Sequence, residues 1–63
     1  MGELENRLKA VLDGRTIKWL SDKTGINRNT ITSYINGTVP PLDKAYAIAR
    51  VLGVSVYDIW PQE

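Results

Sequence analysis

Residues 16–37 read TIKWLSDKTGINRNTITSYING, and this stretch predicts two short helices joined by a tight turn. Thr16 is a good residue to cap the start of the first of these helices, and Gly25 suits the left-handed position that ends it. Asn27 is the next candidate cap, at the start of a segment that runs to an Asn-Gly turn. The expected helices, numbered two and three along the chain, run over about Ile17–Thr24 and about 28–36.

The link between these two helices is short, because only Gly25 and Ile26 separate the second helix from the next cap. Such a link forces the helices to cross steeply instead of lying antiparallel. Ser21 is small enough to face the crossing. The core that both helices share is expected to contain Leu20, Ile31 and Tyr34. Together these features predict a helix-turn-helix motif over about residues 16–37.

Three more helices are predicted outside the motif. The first, about Glu3–Asp13, has one apolar stripe consisting of Leu4, Leu8, Val11 and Leu12. The fourth has Pro41 at its first helical position and ends at Gly53. Its inward side is expected to contain Leu42, Ala45, Tyr46, Ala49 and Leu52. The fifth begins with a capping box from Ser55 to Asp58 and ends at Pro61. The predicted fold is therefore a single all-α domain of five helices over residues 1–63.

The composition excludes several classes of protein. The 63 residues contain no cysteine and no histidine, so disulfides are excluded and a structural zinc site would need carboxylates alone. No apolar run approaches the length of about 20 residues that spans a bilayer, and no signal-peptide pattern is present. We expect a cytoplasmic protein without a cofactor or a bound metal. An enzyme is the least expected class, because the acidic residues are scattered and no nucleophile motif occurs.

The net charge of +1 is small, but the charges are unevenly distributed. Between residues 14 and 38 the chain has four basic residues and one acidic residue, a local charge of +3, whereas the remainder has a charge of −2. A basic segment on an otherwise acidic small domain favours contact with a polyanion. The same counts are also common on a solvated helix face, so charge alone does not decide the function.

The start of the third helix is polar, since six of the seven residues 27–33 can form hydrogen bonds through their side chains. Short amide and hydroxyl groups, together with one arginine, suit the base edges of the DNA major groove. A solvated helix face is the alternative for the polar run by itself. The predicted base-contacting residues are Arg28, Asn29, Thr30, Thr32 and Ser33. The predicted phosphate-contacting residues are Thr16, Ile17, Lys18, Asn27, Asn36, Thr38 and Lys44.

Residues 16–37 resemble the helix-turn-helix of the Cro and repressor family, also called the Xre family. The resemblance continues through the Asn-Gly turn at 36–37 and through LDKAYAIARVLGVSV at 42–56, so it covers nearly the whole chain. It implies a transcriptional regulator, a repressor that binds a near-palindromic operator of double-stranded DNA as a homodimer. Whether the chain represses or activates is not readable from the residues themselves.

The chain departs from the family pattern at three places. Ile17 stands where many members have a glutamine that touches phosphate, so only its backbone N–H is left for such a contact. Ile35 and Ala10 stand where members often have a glutamate and an arginine, and we expect these two apolar residues to touch in the core. The prolines at 40 and 41 remove two N–H groups from a loop that members use against the DNA backbone.

The aromatic residues have two interpretations. Trp19, Tyr46, Tyr57 and Trp60 are most simply core residues, with Trp19 pointing partly toward the first helix or toward solvent. The last helix can instead provide a two-fold contact between two copies of the chain. The predicted dimer interface is Val56, Tyr57 and Trp60.

A second function class remains open at this point. Helix-turn-helix domains also serve as protein-binding modules, such as antitoxins or regulators whose main contact is another protein. The modest net charge is compatible with that class. The dependence of DNA affinity on salt distinguishes the two, because affinity falls steeply with salt where several phosphates are contacted.

Overall fold

A computed structural model describes residues 7–61. This part of the chain has five α-helices and no strand, as the sequence predicts. The helices are α1 Leu8–Leu12, α2 Ile17–Thr24, α3 Arg28–Ile35, α4 Leu42–Leu52 and α5 Val56–Ile59. The predicted start of the first helix, at residues 3–6, lies outside the described residues. None of the helices within residues 7–61 is long and apolar enough to cross a membrane.

Short-range capping bonds fix the starts of α2 and α5. The Thr16 hydroxyl accepts a hydrogen bond from the Trp19 N–H at 3.0 Å, at the start of α2. Ser55 accepts from the Tyr57 N–H at 3.1 Å, and the Asp58 carboxylate accepts from the Ser55 N–H at 3.0 Å, which is the predicted capping box. Because these bonds span at most three residues, the helix starts follow directly from the local sequence.

The core lies between α2, α3 and α4, with α1 packed against α3 and α5 against α4. Each fully buried leucine or isoleucine contributes about 1.5–3 kcal/mol through its removal from water. The residues of the core cluster are Leu8, Leu12, Leu20, Ile26, Ile31, Tyr34, Ile48, Ala49, Leu52 and Ile59.

The predicted inward side of α4 is partly wrong. Leu42 is 65% exposed and Tyr46 is 59% exposed, whereas Ile48, which the prediction left out, is fully buried. The residues of α4 that do face the core are Ala45, Ile48, Ala49 and Leu52. These follow the i, i+3, i+4, i+7 spacing of one helix face. The true buried face is therefore rotated from the predicted one toward Ile48.

Pro41 does not occupy the first helical position, as the sequence analysis expected. It is the residue before the helix, with φ −60° and ψ 157°, and its carbonyl accepts the first helical hydrogen bond from the Ala45 N–H at 2.9 Å. The ring fixes φ near −65°, which suits both positions, so φ alone does not decide between them. The extended ψ places the start of α4 at Leu42.

The expected core contact between Ala10 and Ile35 is also wrong, because Ala10 is exposed. Helix α1 turns Leu8 and Leu12 inward, and a residue two positions from each of them lies on the opposite side of a helix. Ile35 is half-buried and packs against the core cluster without an apolar partner at position 10.

Candidate nucleic-acid interface

The turn between α2 and α3 is held by hydrogen bonds from two side chains. The Ser21 hydroxyl donates to the Ile26 carbonyl at 2.6 Å, which agrees with its predicted place at the helix crossing. The Thr24 hydroxyl donates to the Leu20 carbonyl at 2.8 Å and accepts from the Ile26 N–H at 3.2 Å. Two of these bonds satisfy the N–H and the carbonyl of Ile26, which lie in the turn between the two helices. Sequence reasoning missed the role of Thr24.

Gly25 gives this turn its direction. Its φ of 78° lies in the left-handed region, and its N–H donates to the Ser21 carbonyl at 2.8 Å. Residues with a Cβ pay a steric penalty in this region, so glycine is favoured here. The side chain of Ile26 then enters the core, where it is 6% exposed. A backbone hydrogen bond and the burial of the Ile26 side chain therefore both stabilise the turn.

The predicted shared core of the motif is confirmed. Leu20 and Ile31 are fully buried, and Tyr34 is 5% exposed. With the hydrogen-bonded turn, these contacts fix α3 relative to α2. Whatever side chains α3 presents to solvent are therefore presented on a rigid support.

The solvent-facing side of α3 contains all five predicted base-contacting residues. Arg28, Asn29 and Thr32 are exposed, and Thr30 and Ser33 are half-buried beside them. Within residues 7–61, the side chains of Arg28 and Asn29 have no hydrogen-bond or ion-pair partner. Both side chains are thus available for contacts with a ligand. Nothing in the packing of residues 7–61 uses their polar groups.

The hydroxyl groups on α3 are already partly engaged. The Thr32 hydroxyl donates to the Arg28 carbonyl at 3.0 Å, and the Ser33 hydroxyl donates to the Thr30 carbonyl at 2.7 Å. A hydroxyl has one hydrogen to donate and two lone pairs that accept. In this arrangement the two oxygens can accept from an amino group of a base, and the Thr32 methyl can contact a thymine methyl.

Asn27 is the residue before the first turn of α3, and its side chain caps that turn. Its Oδ1 accepts from the Asn29 N–H at 2.7 Å, as a helix cap does, which leaves the amide nitrogen of this exposed side chain outward. Asn36 and Thr38, at the other end of α3, are both exposed. The predicted phosphate contacts therefore flank the exposed side of α3 at its two ends.

The start of α2 offers backbone donors. The N–H groups of Ile17 and Lys18 belong to the first turn, where no helical carbonyl is available to them. Ile17 itself is half-buried and packs against the core, and the Thr16 side chain is used in the cap. An anion at this helix end would therefore be bound by backbone N–H groups.

Two basic residues near α2 already have contacts within the chain. The Lys18 ammonium bonds to the Asp22 carboxylate at 3.0 Å, with both side chains about two-thirds exposed. Arg15 donates to the Leu12 carbonyl at 2.8 Å, and its guanidinium carbon lies 4.8 Å from the ring centre of Trp19. Arg15 thus extends from the end of α1 to the half-buried ring of Trp19. Sequence reasoning found neither contact.

Lys44 is exposed on α4 and, among the described residues, has no charged partner. It is a free cation on the helix that follows the Asn-Gly turn. The residues of the predicted dimer interface differ in exposure, since Tyr57 is 67% exposed and Val56 and Trp60 are half-buried. Trp60 packs partly against the core cluster, so only part of its side chain is accessible to a second copy.

Comparison with known proteins agrees with this geometry. The sequence profile of the helix-turn-helix family, of the type found in Cro and phage repressors, matches residues 8–59. The match includes all five helices and both sides of the turn at Gly25. No curated protein and no solved structure matches the chain.

Proposed function

The chain belongs to the helix-turn-helix family of DNA-binding transcription regulators, and we propose that it is a repressor that binds a near-palindromic operator as a homodimer. The observation that carries the proposal is the exposed side of α3. It presents the side chains of Arg28 and Asn29, which have no polar partner within residues 7–61, on a helix that the turn and the core hold rigidly. The repressor role itself rests on the resemblance to the Cro and repressor family.

In this proposal α3 lies in the major groove and reads bases. Arg28 can fork onto the two acceptors of guanine, and Asn29 can pair with the donor and acceptor of adenine. Thr30 and Thr32 contact thymine methyls, and the Ser33 oxygen accepts from a base amino group. The first residues of α3 carry most of the specificity, because the N-terminal part of a recognition helix reaches deepest into the groove.

Phosphate contacts position α3 before any base is read. We assign them to the two ends of the motif and to the following helix. Backbone N–H groups at Ile17 and Lys18 bind one phosphate, and the side chains around the end of α3 bind the next. The contributing residues are Thr16, Ile17, Lys18, Asn27, Asn36, Thr38 and Lys44. The backbone of α2 is favoured because Lys18 is already paired with Asp22.

One copy of the chain offers few cations, so we propose that two copies bind together. The half-sites of such a dimer lie one helical turn apart, about 34–36 Å. The sequence analysis assigned the contact between copies to Val56, Tyr57 and Trp60. We further propose that the chain acts in the cytoplasm and catalyses no reaction, in keeping with the absence of histidine and cysteine from its 63 residues.

Selection of bound sequences from a library of random duplexes tests the proposal. We expect the bound pool to converge on two inverted half-sites whose centres are about 10–10.5 base pairs apart. A pool with a single half-site would contradict two-copy binding but not base reading. A pool that stays random would overturn the proposal and favour a protein-binding module.

A further inference from the structure

We propose that two copies of this chain meet along the exposed face of α4, with the two α4 helices antiparallel about a two-fold axis. This α4 face consists of Leu42, Asp43, Tyr46, Ala47 and Arg50. The inference rests on the two-copy binding proposed above and names the surface where the copies meet. It shifts the centre of the contact from α5, where the sequence analysis expected it, to α4.

The α4 face is open and includes large apolar side chains. It forms one side of a groove of about 1250 Å³, and residues 54–57, which lead into α5, form the other side. Leu42, Tyr46 and Tyr57 line this groove, and each is at least 59% exposed. Large apolar side chains gathered on one surface mark an interaction site, whereas scattered ones do not.

The charges on the α4 face are complementary to those of a second, antiparallel copy. Asp43 and Arg50 both line the groove, and they are separated by two helical turns, about 10.5 Å along the axis. They are thus too far apart to pair with each other. Within residues 7–61 neither side chain has an ion-pair or hydrogen-bond partner. An antiparallel second α4 brings Asp43 of each copy opposite Arg50 of the other.

The same register also matches the side chains by size. When position 43 lies opposite 50, position 46 lies opposite 47, so Tyr46 of each copy packs on the small Ala47 of the other. Every contact then occurs twice, as a two-fold interface requires. An unrelated partner protein would need its own acid, base and small residue at these spacings, whereas a second copy has them already.

This contact leaves the proposed DNA-binding residues free. Lys44 does not line the groove and lies on another side of α4 from Tyr46. The exposed side of α3 is formed by a different helix, which does not line the groove either. Apolar contact supplies most of the affinity of such an interface, and the two charge pairs fix its register and orientation.

Sedimentation equilibrium of the purified chain without DNA, over a wide range of concentrations, tests the interface. We expect a concentration-dependent dimer that Asp43→Arg or Arg50→Asp alone weakens about tenfold or more, since each reversal places like charges together twice. The double variant Asp43→Arg/Arg50→Asp restores the opposite pairs and should return the dimer constant to within about threefold of the unchanged chain.

Lys44→Glu is the matched control, because it reverses a charge on the same helix outside the groove. We expect it to leave the dimer constant unchanged while it weakens DNA binding. Thermal melts guard against misfolding, since Asp43→Arg removes a favourable charge from the helix start. The double variant has that same change, so recovery of its dimer excludes a folding defect as the cause.

Three results would overturn the interface: a chain that stays monomeric at every concentration, single reversals without effect, or a double variant weaker than both single variants. Any of these results, obtained with a chain that still binds DNA sequence-selectively, would contradict the α4 interface without contradicting the proposed function. Reversal and rescue in a chain that selects no DNA sequence would support the α4 contact while contradicting the proposed function.

Discussion

At the scale of single residues, Asn29 and Lys44 separate specificity from affinity. Asn29 is exposed near the start of α3, and its amide has no partner within residues 7–61. Asn29→Ala should therefore cost about 1–3 kcal/mol on the selected operator and little on random DNA. Lys44 lies outside α3 and has no charged partner among residues 7–61, so Lys44→Ala should weaken binding to both duplexes alike. Titrations of each variant with operator and scrambled duplexes measure the two losses.

Equal losses of affinity for Asn29→Ala on both duplexes would show that α3 does not read bases through this residue. Arg28→Ala belongs in the same titrations, because its long side chain can reach either a guanine or a phosphate. A loss confined to the operator assigns Arg28 to a base, and an equal loss on both duplexes assigns it to the backbone.

Asp22 forms an ion pair with Lys18, the basic side chain at the start of α2. Its carboxylate pairs with the Lys18 ammonium at 3.0 Å, and an exposed pair of this kind stabilises the fold little. Asp22→Asn frees Lys18 for phosphate and should strengthen binding to any duplex about two- to fivefold at low salt. Affinity measured with and without the change, at two salt concentrations, checks this.

The matched control for Asp22→Asn is the same change in a chain with Lys18→Ala. The gain should be smaller there, because no lysine is released. An equal gain in both backgrounds would mean that Asp22 acts only by its own repulsion of phosphate, and that Lys18 does not touch DNA.

At the scale of secondary-structure elements, Thr24 joins α2 to α3. Thr24→Val keeps the shape of the side chain but removes two hydrogen bonds and leaves the Ile26 N–H without its partner. We expect it to lower the free energy of unfolding by about 1–3 kcal/mol. Thr24→Ser keeps the hydroxyl and should cost clearly less, as urea unfolding of both variants would show. Equal costs would mean that the methyl group, not the hydrogen bonds, matters at this position.

The starts of α2, α3 and α5 were predictable from sequence because their causes are local. Thr16, Asn27 and the Ser55–Asp58 pair each bond to backbone within three residues, so a short window of sequence contains the whole interaction. The two helices of the motif were placed to within a residue for that reason, although α3 ends at Ile35 and not at 36. The turn bonds of Thr24 are equally local, but threonine has several possible roles at a helix end.

The inward face of α4 was not predictable, because apolar residues occur almost all around this helix. Stripes through Tyr46 and through Ile48 both satisfy the helical period, and only packing against α2 and α5 decides between them. This packing buries Ile48 and leaves Leu42 and Tyr46 exposed. The exposed side of α3 was easier to predict than the inward face of α4. Helix α3 has a single apolar stripe, which leaves only one polar side.

At the scale of the whole molecule, the charges are concentrated where the motif lies. Residues 14–38 have a charge of +3 and the remainder −2, although the net charge is only +1. With about four phosphates per copy, log affinity should fall with log salt with a slope of about −3 to −4 for one copy and about −7 for two. Titration by fluorescence anisotropy at several salt concentrations measures the slope. A slope near zero would exclude phosphate contacts as the main source of affinity.

A ratio of two affinities tests most directly whether α3 reads DNA sequence. The dissociation constants for the selected operator and for a scrambled duplex of equal length are measured at the same, near-physiological salt. We expect the operator to be bound at least about 1000-fold more tightly than the scrambled duplex. A ratio near one would contradict it, because binding would then come from phosphate contacts alone.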